Sequence, residues 1–219
     1  MIRLAHSDER TTTLLLHQAS ASSGFHAKLR TTLEEGEEAV DRLLRSYDPS
    51  MADHHRAVAD LAASIATHLG LPQHESRGIG LAASLHDIGI IGDPGMIDPD
   101  DRTTPYDPTS AHARTGARIV DDIRFPWPIQ VMILQHHEHL DGTGQPYGLD
   151  GDAILLGSRV ITVADTVVTR STVVPSLDMA LAELAEGRGT RFDADVVDAC
   201  LDLFPTVAQG AARSVTQGT

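Results

Sequence analysis

Histidine and aspartate side chains in the centre of the sequence have the types and the order expected of a metal site. The chain has 12 histidines in 219 residues, and imidazole is the commonest protein ligand for metal ions. The candidate ligands are two adjacent pairs and three single residues: His86 with Asp87, His136 with His137, and then His54, His112 and Asp165. Such a set of nitrogen and oxygen ligands suits Fe, Mn, Zn or Co, and a carboxylate able to bridge favours two ions over one.

The two aspartates are the most informative of these candidates, because the residues around them predict burial. His86 and Asp87 follow a stretch of leucine and alanine, where an ionised carboxylate is costly unless it is paired or bound to metal. Asp165 lies among valines and isoleucines with no basic residue within one helical turn, so a metal ion or a histidine is its expected partner. A structural role stays open for each aspartate taken alone. Asp87 could cap a helix, and Asp165 could accept hydrogen bonds from backbone amides elsewhere in the chain.

The five histidines of the set lie on apolar faces of predicted helices. His136 and His137 are neighbours, and two adjacent core histidines would need two sets of hydrogen-bond partners, which favours ligation. His54 and His112 are single residues, for which a structural role is the commoner one. The other seven histidines are expected at surface or incidental positions: His6, His17, His26, His55, His68, His74 and His139.

Helical periodicity dominates the apolar pattern, and no segment alternates with period two, so the predicted fold is all-α. The helices are expected over residues 25–45, 50–69, 74–88, 109–123, 128–139, 153–172, 177–187 and 194–204. Ser50, Ser176 and Asp193 are the predicted N-caps. A segment rich in proline, glycine and aspartate is expected to form a long loop over residues 90–108.

Charge and composition exclude several classes of partner and site. The chain has 31 acidic and 17 basic residues, a formal net charge of -14, and should therefore repel polynucleotides and anionic membranes. Its apolar runs are too short to span a membrane or to form a signal-peptide core, so the expected location is cytoplasmic. Cys200 is the single cysteine, which excludes an intramolecular disulfide and multi-cysteine metal sites.

The order of the seven candidates resembles that of the HD superfamily of metal-dependent phosphohydrolases, and more narrowly the HD-GYP family of bacterial cyclic di-GMP phosphodiesterases. The resemblance spans about residues 48–204 and includes neighbouring residues as well as ligands. Six stretches carry it: LHDIG at 85–89, FPWP at 125–128, QHHEHLDGTG at 135–144, RVITVAD at 159–165, GRGTRFD at 187–193 and VVDAC at 196–200.

The resemblance implies a compact helical bundle that holds two divalent metal ions, such as Fe or Mn. The implied metal ligands are His54, His86, Asp87, His112, His136, His137 and Asp165. Asp87 would bridge the ions, and His86 and Asp87 would be the catalytic residues around a hydroxide that attacks the phosphorus of cyclic di-GMP or a related cyclic dinucleotide. Members with a third metal carry a glutamate one turn before the first histidine, where this chain has Ser50.

The chain departs from the family pattern where the family carries cations and a tyrosine. Ile90 replaces the lysine of His-Asp-x-Gly-Lys, Gln145 the tyrosine of Gly-Tyr-Pro, His139 an arginine after His-His-Glu, and Ala57 an arginine after the first histidine. The Arg-Pro-Tyr-Arg segment is missing, and the chain is shortened after Thr172. Two alternatives to the phosphodiesterase therefore stay open. One is a catalytically impaired module that relays signals by contacting another protein, and the other is an HD phosphohydrolase with a different nucleotide substrate.

The expected organisation is one main domain with short extensions. An N-terminal helical extension is expected over residues 1–45, the HD-GYP-like phosphohydrolase domain over residues 46–205, and a flexible tail over residues 206–219. Members of the family often form dimers, so a homodimer is one expected assembly.

Overall fold

The computed structural model describes residues 37–92 and 108–205. Within these ranges the fold is all-α and contains no β-strand, which confirms the predicted fold class. The described helices are α1 (Glu37–Tyr47), α2 (Pro49–His68), α3 (Gln73–Ser84), α4 (Ile88–Gly92), α5 (Pro108–Val120), α6 (Ile129–Gln135), α7 (Leu156–Val173), α8 (Leu177–Glu186) and α9 (Ala194–Asp202). None of these helices is long and apolar enough to cross a lipid bilayer.

The core forms around α2 and α7, which pack against each other along much of their length. Val58 and Ile65 of α2 and Ile161 of α7 are completely buried, and each such side chain contributes about 1.5–3 kcal/mol relative to an exposed position. Helix α3 packs on α2 and also contacts α7, while α6 packs on α3, α5 on α6, and α4 on α5. The two central helices therefore form a rigid support for the side chains at their inner faces.

Helix α1 packs on α2 and joins the same core through Val40, Leu43 and Leu44. The helix predicted over 25–45 is described only from residue 37, and its earlier part lies outside the described residues. So do most of the predicted loop over 90–108 and the predicted tail from residue 206. The division of the chain at residues 45 and 46 stays a prediction.

Two of the three predicted N-caps are confirmed. Ser176 accepts a hydrogen bond from the Met179 amide at 3.3 Å, and Asp193 accepts from the amides of Asp195 and Val196. The third prediction is wrong by two residues, because Asp48 rather than Ser50 caps α2. Proline at the next position has no amide hydrogen to satisfy and a φ angle suited to a helix start, which moves the cap towards the N-terminus.

The two helices that precede the adjacent candidate pairs end earlier than the apolar pattern predicts. Helix α3 ends at Ser84 rather than Ile88, and α6 ends at Gln135 rather than about His139. Both adjacent pairs of candidate ligands therefore lie in turns just beyond a helix. Apolar residues that continue through a turn preserve the helical pattern in the sequence, so periodicity alone cannot locate these ends.

Candidate metal centre

Two histidines of the adjacent pairs make the same local contact at the end of a helix. His86 Nδ1 donates a hydrogen bond to the Ala83 carbonyl at 2.7 Å, and His136 Nδ1 donates to the Ile133 carbonyl at 2.6 Å. The last carbonyls of a helix have no partner within it, so each imidazole satisfies one of them. Since Nδ1 carries the hydrogen in each ring, Nε2 is the atom left for a ligand on the other side.

The first group of candidate ligands is Asp87, His112, His136 and His137, with one ligand atom of each within 4.8 Å of the others. His112 Nε2 lies at its centre, 2.9 Å from Asp87 Oδ1 and 2.9 Å from His137 Nε2. His136 Nε2 lies 3.4 Å from the same His112 atom and 3.7 Å from Asp87 Oδ1. Three ring nitrogens and one carboxylate oxygen thus converge on one small volume.

The second group is His54, His86 and Asp87, also within 4.8 Å of one another. Asp165 lies beside it, with Oδ1 3.3 Å from His54 Nε2 and 3.8 Å from His86 Nε2. Asp87 is common to both groups and divides its two oxygens between them. Its Oδ1 faces His112, whereas its Oδ2 lies 3.2 Å from His86 Nε2.

All seven residues singled out from the sequence therefore lie in one cluster. They come from five segments of the chain: His54 from α2, His86 and Asp87 from the α3–α4 turn, His112 from α5, His136 and His137 from the end of α6, and Asp165 from α7. Their role as metal ligands stays a prediction, and the fit of the cluster to a cation can be judged from its electrostatics.

Burial and the two carboxylates set the protonation of the cluster. Burial opposes a charge on His86, but the charges of Asp87 and Asp165 outweigh it and raise the pKa of His86 to about 9. Burial also opposes a charge on Asp87, yet His86 and the hydrogen bond from His112 hold its pKa well below the usual range. Asp165 likewise has a lowered pKa, because contacts with His54 and His86 outweigh burial. Both carboxylates are therefore ionised near neutral pH.

His136 and His137 have the opposite bias. Burial, with repulsion from His112, lowers the pKa of His137 to about 4, and burial with repulsion from His137 keeps the pKa of His136 well below its usual value. Neutral imidazoles with converging Nε2 atoms, next to ionised carboxylates, form the donor set that a divalent transition metal takes. His86 Nε2 is completely buried, and its nearest polar neighbours in the described residues are the carboxylates of Asp87 at 3.2 Å and Asp165 at 3.8 Å. The cluster therefore fits metal ions.

Polar residues behind the cluster fix its backbone. The Thr162 hydroxyl of α7 donates to the His136 carbonyl at 2.7 Å. Gln135, immediately before the histidine pair, accepts hydrogen bonds at Oε1 from the Leu155 amide and the Ser158 hydroxyl. Hydrogen bonds of this kind hold the ligand-bearing segment in one orientation, which is what a metal centre needs from its surroundings.

Glu138 is a buried carboxylate next to the cluster that the sequence alone did not single out. It directly follows His137, and its side chain is buried with only 2% of the residue exposed. Its Oε1 accepts from the Tyr147 amide at 2.7 Å and its Oε2 from the Leu149 amide at 2.9 Å. The carboxylate thereby fastens the loop over 140–150 to the segment of the cluster. The only sequence signal for it was its place next to the histidine pair.

His55 is also placed differently from the expectation of a surface residue. Only 1% of it is exposed, and its Nδ1 donates to the Ser84 carbonyl at 3.0 Å. Its ring lies 5.0 Å from that of His86, centroid to centroid, and burial lowers its pKa to about 3. His55 thus packs behind the cluster as a neutral ring, which the spacing along α2 could not reveal because α3 covers it.

The positions that lack the family's cations lie around the cluster in varied environments. Ile90 is 40% exposed, and Ala57 is exposed as well. His139 accepts a hydrogen bond from Arg191 Nε at 3.0 Å and lies 3.1 Å from the Thr143 hydroxyl. The guanidinium of Arg191 is therefore in direct contact with His139, the histidine at the position of the family's arginine.

Comparison with known proteins relates this chain to one family. A family model described as HD domain matches residues 38–196. The cyclic di-GMP phosphodiesterase response regulator RpfG of Xanthomonas campestris is 32% identical, over 80% of this chain and 50% of that protein. The 3'3'-cGAMP-specific phosphodiesterase 3 of Vibrio cholerae is 31% identical, over 76% of this chain and 39% of that protein. The chain thus spans half or less of these relatives.

A solved structure supports the fold independently. The protein Bd1817 from Bdellovibrio bacteriovorus, described as a HDG"Y"P protein, superposes with a TM-score of 0.58 at 22% identity. The match covers 86% of this chain and 63% of that one. At this level of identity the likeness concerns the helical fold alone.

Proposed function

This chain belongs to the HD-domain family, and we propose that it is a metal-dependent phosphodiesterase that hydrolyses a cyclic dinucleotide. The observation that carries the proposal is the position of Asp87. One of its oxygens faces His112 and the other faces His86, so one carboxylate joins two groups of ligand atoms. A carboxylate shared in this way suits a pair of cations, which is the arrangement used for in-line displacement at phosphorus.

We assign the ligands of two divalent ions from the two groups. His112, His136 and His137 would hold the first ion, His54, His86 and Asp165 would hold the second, and Asp87 would contribute to both. Histidine and carboxylate ligands accept Fe, Mn and Zn alike, so Fe and Mn are the ions to test first. His86 and Asp87 are the proposed catalytic residues. Asp87 belongs to both groups, and His86 Nε2 lies 3.2 Å from its Oδ2 atom.

The chemistry of such a centre depends on both the ions and the chain. When bound, the ions lower the pKa of a water molecule and neutralise charge that builds on the phosphoryl oxygens. The chain keeps the ligand atoms in place through the hydrogen bonds of His86 and His136 to helix-end carbonyls. Asp87 and Asp165 are held ionised, so they can balance the charge of the cations without first losing a proton.

The proposed substrate follows from the relatives. Those reported above are named for cyclic di-GMP and for 3'3'-cGAMP, so a cyclic dinucleotide is the substrate class that we propose. The missing cations at Ile90, His139 and Ala57 predict weaker contacts with phosphate than a complete set would make. Each charged hydrogen bond lost costs about 1.5–3 kcal/mol of binding.

The same substitutions favour a second candidate function. An exposed isoleucine at position 90, where the family has a lysine, removes a phosphate contact and leaves an apolar side chain in its place. A module that uses its metal ions for structure and contacts another signalling protein would not need side chains that bind phosphate. This alternative predicts metal binding without turnover.

Metal analysis combined with turnover separates the two functions. Protein purified without oxygen should contain about two equivalents of Fe or Mn per chain. It should hydrolyse cyclic di-GMP or 3'3'-cGAMP to linear products, and the double variant H86A/D87A should not. Bound metal without hydrolysis of either nucleotide, or of bis(p-nitrophenyl) phosphate, would reject the enzyme and favour the relay module. Survival of cellular function in H86A/D87A would do the same.

A further inference from the structure

Tyr147 is an exposed aromatic side chain on the loop that Glu138 fastens to the cluster. The residue is 59% exposed, although hydrogen bonds hold the backbone before and after it in the sequence. Its own amide and that of Leu149 bond to Glu138, and the Gln145 amide donates to the His137 carbonyl at 3.0 Å. The backbone that carries the ring is thus fixed, while the ring stays open to solvent.

The loop that carries Tyr147 packs directly against the ligand segment. Gly144 lies so close to that segment that a Cβ atom there would be 2.2 Å from the His139 amide nitrogen and 2.4 Å from Glu138 Cα. Only glycine allows the two backbones to approach so closely. The position of the loop backbone relative to the ligand segment is therefore set by packing as well as by hydrogen bonds.

Arg114 supports the ring from α5. Its guanidinium carbon lies 5.4 Å from the centre of the Tyr147 ring, and Nη2 donates to the Pro146 carbonyl at 3.3 Å. Arg114 follows His112 by two residues on α5, and the loop that carries Tyr147 comes after His137 in the chain. The two segments that bring His112 and His137 to within 2.9 Å also bring this arginine and this tyrosine together.

A second arginine–aromatic contact in the described residues shows what distinguishes this one. Arg191 lies 5.1 Å from the centre of the Phe192 ring, but Phe192 is only 4% exposed. No ligand can reach the faces of that ring without unfolding. Tyr147 has the same kind of cationic neighbour and most of its surface accessible.

We propose that Tyr147, supported by Arg114, is the stacking platform for one nucleobase of the substrate. Aromatic rings held rigidly beside a positively charged path are the usual means of binding unpaired bases. The loop that carries this ring is bonded to the His137–Glu138 segment, so a dinucleotide with its phosphate at the cluster would extend along this loop to place one base on the ring. The inference rests on the proposed function, since it supplies substrate contacts at a site where family cations and the tyrosine of Gly-Tyr-Pro are missing.

Kinetic constants of matched variants test the platform. Tyr147→Ala should raise KM for cyclic di-GMP by about 5- to 150-fold, the range expected for one lost base–aromatic stack, while kcat and metal content change little. Tyr147→Phe keeps the ring and should keep KM. Arg114→Ala should raise KM in the same direction, and Arg118→Ala, which removes a charge one turn further along α5, should not. An unchanged KM in Tyr147→Ala would overturn the inference.

A footprint provides a readout that does not depend on turnover. Hydroxyl-radical labelling of the holoprotein should modify both Tyr147 and Tyr47, which is 50% exposed on α1. Saturating cyclic di-GMP should protect Tyr147 and leave Tyr47 unchanged as the internal reference. Equal labelling of Tyr147 with and without nucleotide, in protein that hydrolyses it, rejects the platform alone. Absence of hydrolysis in the wild-type protein would instead reject the proposed function.

Discussion

The Nε2 atoms of His112 and His137 lie 2.9 Å apart. His112 Nε2 is also 2.9 Å from Asp87 Oδ1 and 3.4 Å from His136 Nε2. A single hydrogen on His112 Nε2 can be donated to only one of these three atoms, so the other contacts bring unshared electron pairs together. A cation shared by all of them removes this repulsion, and the close contact of the two histidines is therefore a reason to expect metal.

Metal removal should lower the stability of the protein. A ligand that binds only the folded state at 100 times its Kd adds about 2.7 kcal/mol to the free energy of unfolding. In a domain of this size each kcal/mol shifts Tm by about 2–4 °C. Dialysis against a chelator should thus lower Tm by roughly 5–10 °C in calorimetry, and Mn should restore it. Identical melting curves before and after chelation would contradict a metal centre.

Metal stoichiometry should depend on which group loses a ligand. Asp87→Ala removes an oxygen from both groups and should reduce bound metal to well below one equivalent per chain. His54→Gln changes only the second group and should leave about one equivalent. His68→Gln, which alters a surface contact with Asp202, is the matched control and should bind as the wild type does. Elemental analysis of the three purified variants decides this, and full loading of Asp87→Ala would count against a shared carboxylate.

Gly89 should be required for the position of His112. A Cβ atom at Gly89 would lie 2.1 Å from the His112 carbonyl oxygen and 2.7 Å from the Gly116 amide nitrogen, so α4 and α5 pack with their backbones in contact. Gly89→Ala should force the helices apart, destabilise the fold by about 1–3 kcal/mol and reduce bound metal. Urea unfolding and elemental analysis measure both effects.

The matched control for this change is another helical glycine. A Cβ atom at Gly80 of α3 would have the Ala63 Cβ atom as its nearest neighbour, at 3.4 Å, which is an ordinary van der Waals contact. Gly80→Ala should therefore be tolerated, and it gains up to about 1 kcal/mol of helix propensity. Equal stability of the two alanine variants would contradict the close packing of α4 on α5.

Glu138 should hold the loop through both of its carboxylate oxygens. Glu138→Gln keeps the shape but turns an amide N–H₂ towards one backbone N–H, leaving a buried donor without an acceptor. The expected cost is about 2–4 kcal/mol of unfolding free energy, with faster proteolysis of the loop over 140–150. A substitution of Asp141, whose carboxylate also accepts hydrogen bonds but is exposed, should cost much less. Resistance to proteases in Glu138→Gln would indicate that the loop is held by other contacts.

The sequence was sufficient to predict the all-α fold and the set of residues that meet in the cluster. Apolar periodicity identifies α2 and α7, and His54 and Asp165 lie on their inner faces. The adjacency of His86 with Asp87 and of His136 with His137 places two candidates together in each turn. The resemblance to a family then orders these segments, although the resemblance itself says nothing of distances.

The features that sequence reasoning missed depend on contacts between distant or irregular parts of the chain. The end of α3 is set by the bond from His86 to the Ala83 carbonyl, which periodicity does not register. His55 is buried because α3 covers it and Ser84 supplies its acceptor. Glu138 accepts hydrogen bonds from two backbone amides that lie nine and eleven residues later in the chain. Each outcome depends on tertiary packing or on a side-chain bond to the backbone, and neither leaves a regular pattern.

Acid should weaken the attachment of α1 to α2. Asp41 accepts hydrogen bonds from Arg56 on α2 and from Arg45 on its own helix. Burial opposes the charge of Asp41, but these arginines outweigh it and lower its pKa from 3.8. Because the folded-state pKa is the lower one, the stabilisation is complete above about pH 5 and is lost as pH falls through the folded-state pKa.

Asp41→Asn isolates this contribution. Measured on metal-free protein, the variant should be less stable than the wild type by about 1 kcal/mol near neutral pH, given that both arginines are partly exposed. The difference should shrink towards zero as the pH falls through the folded-state pKa of Asp41, below which the wild-type carboxyl is also protonated. Arg56→Gln should show the same loss at pH 7, because it removes the link between the helices from the other side. A difference between Asp41→Asn and the wild type that stays constant over the whole acid range in which both are folded would mean that the carboxylate acts through its shape and not through its charge.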